Sequence, residues 1–157
     1  MARITTNTTG TQPVIVLETA TAGGNLTIPF IQDITITNST GVYSYTTFSD
    51  VDTRKLSTPA DNEISTNVVI DDTTYFGNSS ATANTAAYLG ISSLSVNKTP
   101  IAFTIYWAGA TAGATDRISE GEGFITSLAP TTSPDAPVWV TPLTIAVDGT
   151  MTTTATG

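Results

Sequence analysis

Apolar residues recur at every second position through much of this chain, and that period belongs to half-buried strands. Leu26, Ile28, Phe30, Ile34 and Ile36 point one way, interrupted by Gln32, while Thr27, Ile31, Asp33, Thr35 and Thr37 point the other. Pro29 inside this run predicts an edge or a bulge, because it has no N–H to give to a ladder. Asn38-Ser39-Thr40-Gly41 then reads as a turn, with Val42 to Phe48 as the partner strand. Ile64, Thr66, Val68 and Ile70 alternate in the same way, and so do Ile101, Phe103, Ile105 and Trp107 against Ala102, Thr104 and Tyr106. Val14-Ile15-Val16-Leu17 is an unbroken apolar run, which predicts a strand covered on both faces before a turn from Thr21.

The longest pattern runs from Glu120 to Gly149. Phe124, Thr126 and Leu128 share one face, and Ile125, Ser127 and Ala129 the other. After a Pro-rich turn, Trp139, Thr141, Leu143, Ile145 and Val147 share a parity. Two long strands joined this way predict an antiparallel hairpin. The one helical signal lies at residues 79–94. Ser79 or Ser80 would cap it, Ala83, Ala86 and Ala87 favour it, Tyr88, Ile91 and Leu94 supply an apolar face, and Gly90 breaks or bends it.

Residues 49–63 lack any such period. Asp50, Asp52, Arg54, Lys55, Asp61 and Glu63 sit there among Ser, Thr, Pro and Asn, so the segment reads as a long polar loop. Loops of that length are functional or disordered, and the mixture of charges predicts a contact to another subunit. Residues 1–12 read as a loose arm, or as a strand ordered only by a neighbouring subunit. Residues 108–116 are a small, Gly-rich connection, and 150–157 a frayed Thr-rich tail. Nothing divides the chain, so a single domain over 1–157 is expected.

Composition sharpens the strand reading. Threonine makes up about one residue in five, and its branched Cβ suits the pleated sheet better than the helix. Only 11% of residues are charged, with a net charge of −8. That balance opposes any tight grip on nucleic-acid phosphates, which needs a basic surface, but allows nucleic acid to slide past. The chain has no Cys and no His. Disulfides, thiolate chemistry and His-based metal or acid–base sites are therefore excluded. No apolar run approaches the roughly 20 residues of a membrane-spanning helix. Met1-Ala2-Arg3-Ile4-Thr5-Thr6 lacks a signal-peptide core, so synthesis and folding in the cytosol are expected.

The candidates for chemistry are few. Asp50 with Asp52, and Asp71 with Asp72, could lend oxygens to calcium, yet no Asp-x-Asp-x-Asp-Gly loop is present, and solvated turn acids are the plainer reading. Glu120 and Glu122 lie at strand spacing on one side, without the aromatics of a sugar cleft. A Ser or Thr nucleophile would need a base, and neither Lys55 nor Lys98 sits in a Ser-x-x-Lys motif. Gly121-x-Gly123 precedes a strand, not a helix, and so is no dinucleotide fingerprint. Trp107 and Trp139 share strand parity with aliphatic residues and are expected in the core; a sugar-stacking platform is the rival reading. No catalysis, cofactor or metal is expected.

The order of elements, with Gly121-Glu122-Gly123-Phe124-Ile125-Thr126-Ser127-Leu128 preceding Val138-Trp139-Val140-Thr141-Pro142-Leu143-Thr144-Ile145-Ala146-Val147-Asp148-Gly149-Thr150-Met151, resembles the tail tube (major tail) proteins of long-tailed bacteriophages. The resemblance covers residues 25–151, and Pro142 departs from it by requiring a bulge or an edge. It implies a β-sandwich or barrel of antiparallel strands with one short flanking helix and a long polar loop. It also implies hexameric rings stacked into a tube in the virion. Such a tube surrounds a tape-measure protein, meets other tail proteins and conducts double-stranded DNA without specific binding. On this reading Asp33, Glu120 and Glu122 face the lumen, and the 49–63 acids and bases contact neighbouring subunits. Another virion or surface β-protein remains the alternative: a capsid decoration protein, a fibre module or a pilin-like subunit. A carbohydrate-binding module comes third.

Overall fold

The computed structural model describes residues 12–28, 31–108 and 117–155. Eight strands form one antiparallel sheet: β1 (Val14–Glu18), β2 (Leu26–Ile28), β3 (Ile31–Tyr45), β4 (Arg54–Val69), β5 (Ile101–Tyr106), β6 (Arg117–Leu128), β7 (Thr131–Ser133) and β8 (Ala136–Ala155). Along the sheet they run β2-β1-β5-β6-β8-β4-β3, with β7 added to β8. Two helices, α1 (Asp72–Phe76) and α2 (Ala86–Val96), connect β4 to β5.

The two ends of this path are β2 and β3, which are consecutive in sequence. From Ile28 to Ile31 the chain can reach about 11 Å at most. The two ends of the sheet must therefore lie close together, and the sheet is curled into a half-barrel. Its concave face holds the core: Ile15, Leu17, Leu26, Ile28, Ile64, Val68, Ile101, Phe103, Ile105, Ile125, Leu143 and Ile145, closed by Ala86, Ile91 and Leu94 of α2. Each such aliphatic side chain contributes about 1.5–3 kcal/mol on full burial. The alternations at 64–68 and 101–105 are thus core faces, as their period implies.

Several local expectations are corrected. Residues 54–63 are not loop; they are the outer part of β4, paired with β3 from Tyr45↔Arg54 through Thr37↔Glu63. They lack a hydrophobic period because both faces of this two-stranded ribbon are exposed as far as Asp61, and Asn62, where burial begins, is polar. Only residues 46–53 remain as its turn. The predicted turn at Asn38–Gly41 lies inside β3, where Thr40 faces Ala60 and Val42 faces Ser57. That shift is a bulge in β4, and it contains Pro59, whose missing N–H a bulge tolerates. Residues 150–155 are strand, carried by pairing with β6, and not a frayed tail.

The single helix is likewise two. Asp71 caps α1, its side chain accepting from the Thr74 N–H, and Thr85, not Ser79 or Ser80, caps α2 by accepting from Tyr88 N–H. Gly90 bends α2 at φ 68°, ψ 168°, as its position in the pattern implies. In β6 a bulge between Ile125 and Ser127 breaks the expected parity. Ile125 is fully buried while Phe124 is exposed, and Leu128 returns to pack on the core. Pro142 is accommodated where β8 leaves β6, after Leu128↔Leu143, and meets β7 at Thr131↔Val140. The arm at 1–11, Pro29 with Phe30, the connection at 109–116 and residues 156–157 lie outside the described residues.

Candidate assembly surface

Polar and charged functional candidates all lie off the concave face. Glu120 and Glu122 are exposed on the convex side of β6. Registered pairs place Glu122 directly opposite Asp148 on β8 and opposite Ala102 on β5, which in turn faces Glu18 on β1. Glu120 lies one row away, between Thr104 and Thr152. Like charges directly across a ladder repel, and Glu122 faces Asp148 in this way within one subunit. Asp148 and Glu18 were not singled out in the sequence; only strand register brings them beside Glu122.

Asp33 shares the convex side but not this group. It faces Asn67, whose row crosses β8 at Pro142, six residues from Asp148 and so about 20 Å along the strand. Its carboxylate is already engaged. Oδ1 accepts from the Asn67 N–H at 3.2 Å and Oδ2 from the Asn67 side-chain amide at 2.8 Å. Thr66 Oγ1 donates to the Asp33 carbonyl. These bonds hold the bulge between Ile31 and Asp33 that starts the β3–β4 pairing. Asp33 therefore has a structural task whether or not it meets a lumen.

The ribbon collects the remaining candidates. Asp52, Arg54, Lys55, Asp61 and Glu63 are exposed along it, and Asp50 braces its turn. Asp50 Oδ2 accepts from Thr47 Oγ1 at 2.8 Å and from the Thr47 N–H at 2.9 Å, while Oδ1 pairs with Arg54 Nε at 3.0 Å. The Thr47 hydroxyl and backbone N–H, followed by Arg54, hold the Asp50 carboxyl below its ordinary range. Asp71 is lowered too, chiefly by the Thr73 hydroxyl and the Thr74 N–H that it caps. Both acids thus serve as local braces, and among the described residues no group of three or more His, Cys, Asp or Glu could hold a metal ion.

A firm turn presents exposed apolar side chains. Phe48 and Val51 at the tip are essentially fully exposed, and Val42, Tyr43 and Leu56 on the ribbon are more than half exposed. Tyr43 and Tyr45 stack at 6.2 Å on one face, with Leu56 and Arg54 opposite them. Single exposed apolar residues are ordinary; several on one projecting element mark an interaction site. The expectation that both tryptophans are core fails for Trp139, which is half exposed. It lies near the start of β8, where its carbonyl accepts from the Ile70 N–H. Trp107 is partly buried and donates from Nε1 to Ser119 Oγ at 2.8 Å, and Ser119 in turn meets Thr153. The two do not present a joint stacking surface.

No protein-family model matches the sequence, and no curated protein does. Solved structures do match, over nearly the whole length of both chains. A chain from the tail of an empty gene transfer agent particle, of C6 symmetry, has a TM-score of 0.61 at 15% identity, covering 90% of this chain and 96% of that one. A chain from the sheath–tube complex of an extracellular contractile injection system in its extended state has a TM-score of 0.60 at 16% identity, covering 92% and 88%. A chain from the tube-terminating cap of the anti-feeding prophage has a TM-score of 0.59 at 14% identity, covering 99% and 95%. The chain has the fold found in these tail and tube assemblies, and the resemblance drawn from the sequence holds at the level of fold.

Proposed function

We propose that this protein is a structural virion subunit that assembles into rings stacked as a tail tube, and that it is not an enzyme. The observation that carries the reading is the match of fold across nearly all of both chains, to subunits of a C6-symmetric tail and of a sheath–tube complex. The surface supports it physically. A curled sheet with a projecting two-stranded ribbon exposes edges that a lone subunit cannot satisfy, and copies around a ring can. In this reading the convex carboxylates Glu120 and Glu122, with Asp148 and Glu18, line the conduit, and Asp33 lies further along it. Repelling phosphate, they let double-stranded DNA pass without the counterion-release affinity that would retain it. The exposed tip and charges of the ribbon meet neighbouring subunits, and weak contacts repeated along a tube sum to a stable polymer. A tape-measure protein and other tail proteins are the expected companions, and the virion tail the expected location.

Negative-stain electron microscopy of the concentrated protein tests this. Hollow tubes or stacked rings are the expected result. Uniform trimers would replace the reading with a decoration or fibre protein.

A further inference from the structure

Asp148-Gly149 is the one place in the sequence where glycine follows an aspartate or an asparagine. With no Cβ, Gly149 leaves its backbone nitrogen unshielded, one residue from the Asp148 carboxyl group. The structure places this pair where the sheet holds it least. Pairing of β8 with β4 runs from Val69↔Val140 to Glu63↔Ala146 and stops there. On the other side Glu122 faces Asp148 and Glu120 faces Thr152, so Gly121 alone opposes Gly149, Thr150 and Met151. Gly149 therefore has no register partner on either neighbouring strand. Asp148 has one, and it is a like charge, which weakens the pair.

Both residues are exposed. Gly149 has φ +83°, with nothing within 4 Å of where a Cβ would stand. Glycine enters both signs of φ at little cost, so the peptide between the two residues can turn out of extended geometry. The other aspartates lack this combination. Asp33 is engaged by Asn67, Asp50 by Thr47 and Arg54, and Asp71 by Thr73 and Thr74. Every aspartate but Asp148 precedes a residue with a Cβ.

We propose that Asp148-Gly149 is a site of spontaneous isoaspartate formation in the folded chain. The Gly149 backbone nitrogen attacks Asp148 Cγ. A Cγ–N bond forms, the Cγ–OH bond breaks, and the hydroxyl leaves with the amide proton as water. The five-membered succinimide so made takes up water again at one of its two carbonyl carbons. Addition at Cγ restores aspartate. Addition at the Asp148 main-chain carbonyl carbon breaks the bond from that carbon to nitrogen. The main chain then runs through Cβ and Cγ, and an α-carboxylate is freed. Mass and charge are unchanged, and water is the sole co-reactant. The main chain gains one carbon at the edge of the bulge, where the ladder is already interrupted. The new carboxylate is the group that an isoaspartyl carboxyl methyltransferase esterifies from a sulfonium methyl donor. This inference does not rest on the tube reading.

Ageing the purified protein over weeks tests it, with a sample unfolded in guanidinium aged alongside. After chymotryptic digestion, an isoaspartyl methyltransferase with labelled S-adenosylmethionine is the probe, and fragmentation in the mass spectrometer locates the label. The folded sample should gain label at Asp148 at least about tenfold faster than at any other aspartate. Its rate should lie within about tenfold of the unfolded chain's, because the sheet restrains this pair so little. Asp148→Glu keeps the charge but would need a six-membered ring, so label at this position should vanish. Asp148→Asn reaches the same succinimide with ammonia as the leaving group, and should label faster. Label confined to the unfolded sample means that the ladder protects the pair, and overturns the inference. Folded protein labelled chiefly at another residue overturns it as well.

Discussion

Gly90 offers the sharpest test of how the helical cap sits on the sheet. It stands at the bend of α2 with φ 68° and ψ 168°, a region that residues with a Cβ enter at a cost of about 1–3 kcal/mol. Space is closed as well. A Cβ there would meet the backbone of the neighbouring connection, at Gly77 N, at Phe76 C (2.7 Å) and at Tyr75 O (2.7 Å). None of these can move without disturbing the end of α1, and overpacking of this kind adds about 1–3 kcal/mol. Gly90→Ala should therefore destabilise by about 2–6 kcal/mol, the two effects together. For a domain of this length each kcal/mol lowers Tm by about 2–4 °C. Thermal unfolding followed by circular dichroism should show a fall of about 5–20 °C, with the strand signal otherwise unchanged below the transition. Ser92→Ala serves as the control, on the same helix without the special backbone. A Gly90→Ala protein melting within a degree or two of the wild type would refute the argument, since neither the strain nor the contact would then exist.

The remaining expectations concern the ribbon, the bulges and the exposed tryptophan. Asp33→Ala leaves the Asn67 N–H and side-chain amide without their acceptor, and should cost about 1–2 kcal/mol in urea unfolding, the site being solvated; a change below a few tenths would deny the carboxylate its structural part. The Asp50 carboxyl is lowered from 3.8 in the folded chain, so its brace is complete above that value and is lost as pH falls through the lower, folded one. Amide exchange at the Thr47 N–H, corrected for intrinsic rates, should accelerate only below about pH 4, and Asp50→Asn should remove that step. Iodide should quench Trp139 and spare Trp107, whose indole is tied to Ser119; Trp139→Phe that leaves the quenchable fraction intact would contradict this exposure.

Where one face of a strand meets the core, residues by themselves identify it. Ile64-Ser65-Thr66-Asn67-Val68 and Ile101-Ala102-Phe103-Thr104-Ile105 alternate because burial on one side selects apolar side chains every second position. The mostly β class, the hairpin of residues 121–147 and the bend at Gly90 follow from such local chemistry, as does the absence of His and Cys chemistry. The ribbon is different. Its outer residues are strand because β3 and β4 pair backbone to backbone, and neither face is buried, so no period records it. The bulge at Thr126 reverses a parity that the residues imply, because one inserted residue moves the rest to the other face.

The candidate surface divides in the same way. That Glu120 and Glu122 share a face is a matter of spacing along one strand. That Asp148 stands opposite Glu122 and that Asp33 is consumed by Asn67 depend on register between strands far apart in sequence. Local sequence determined the strands that turn one face to the core and most of the residues that belong inside. Only the tertiary structure decided which edges remain unpaired, because an unpaired edge is defined by the partner that a strand does not meet.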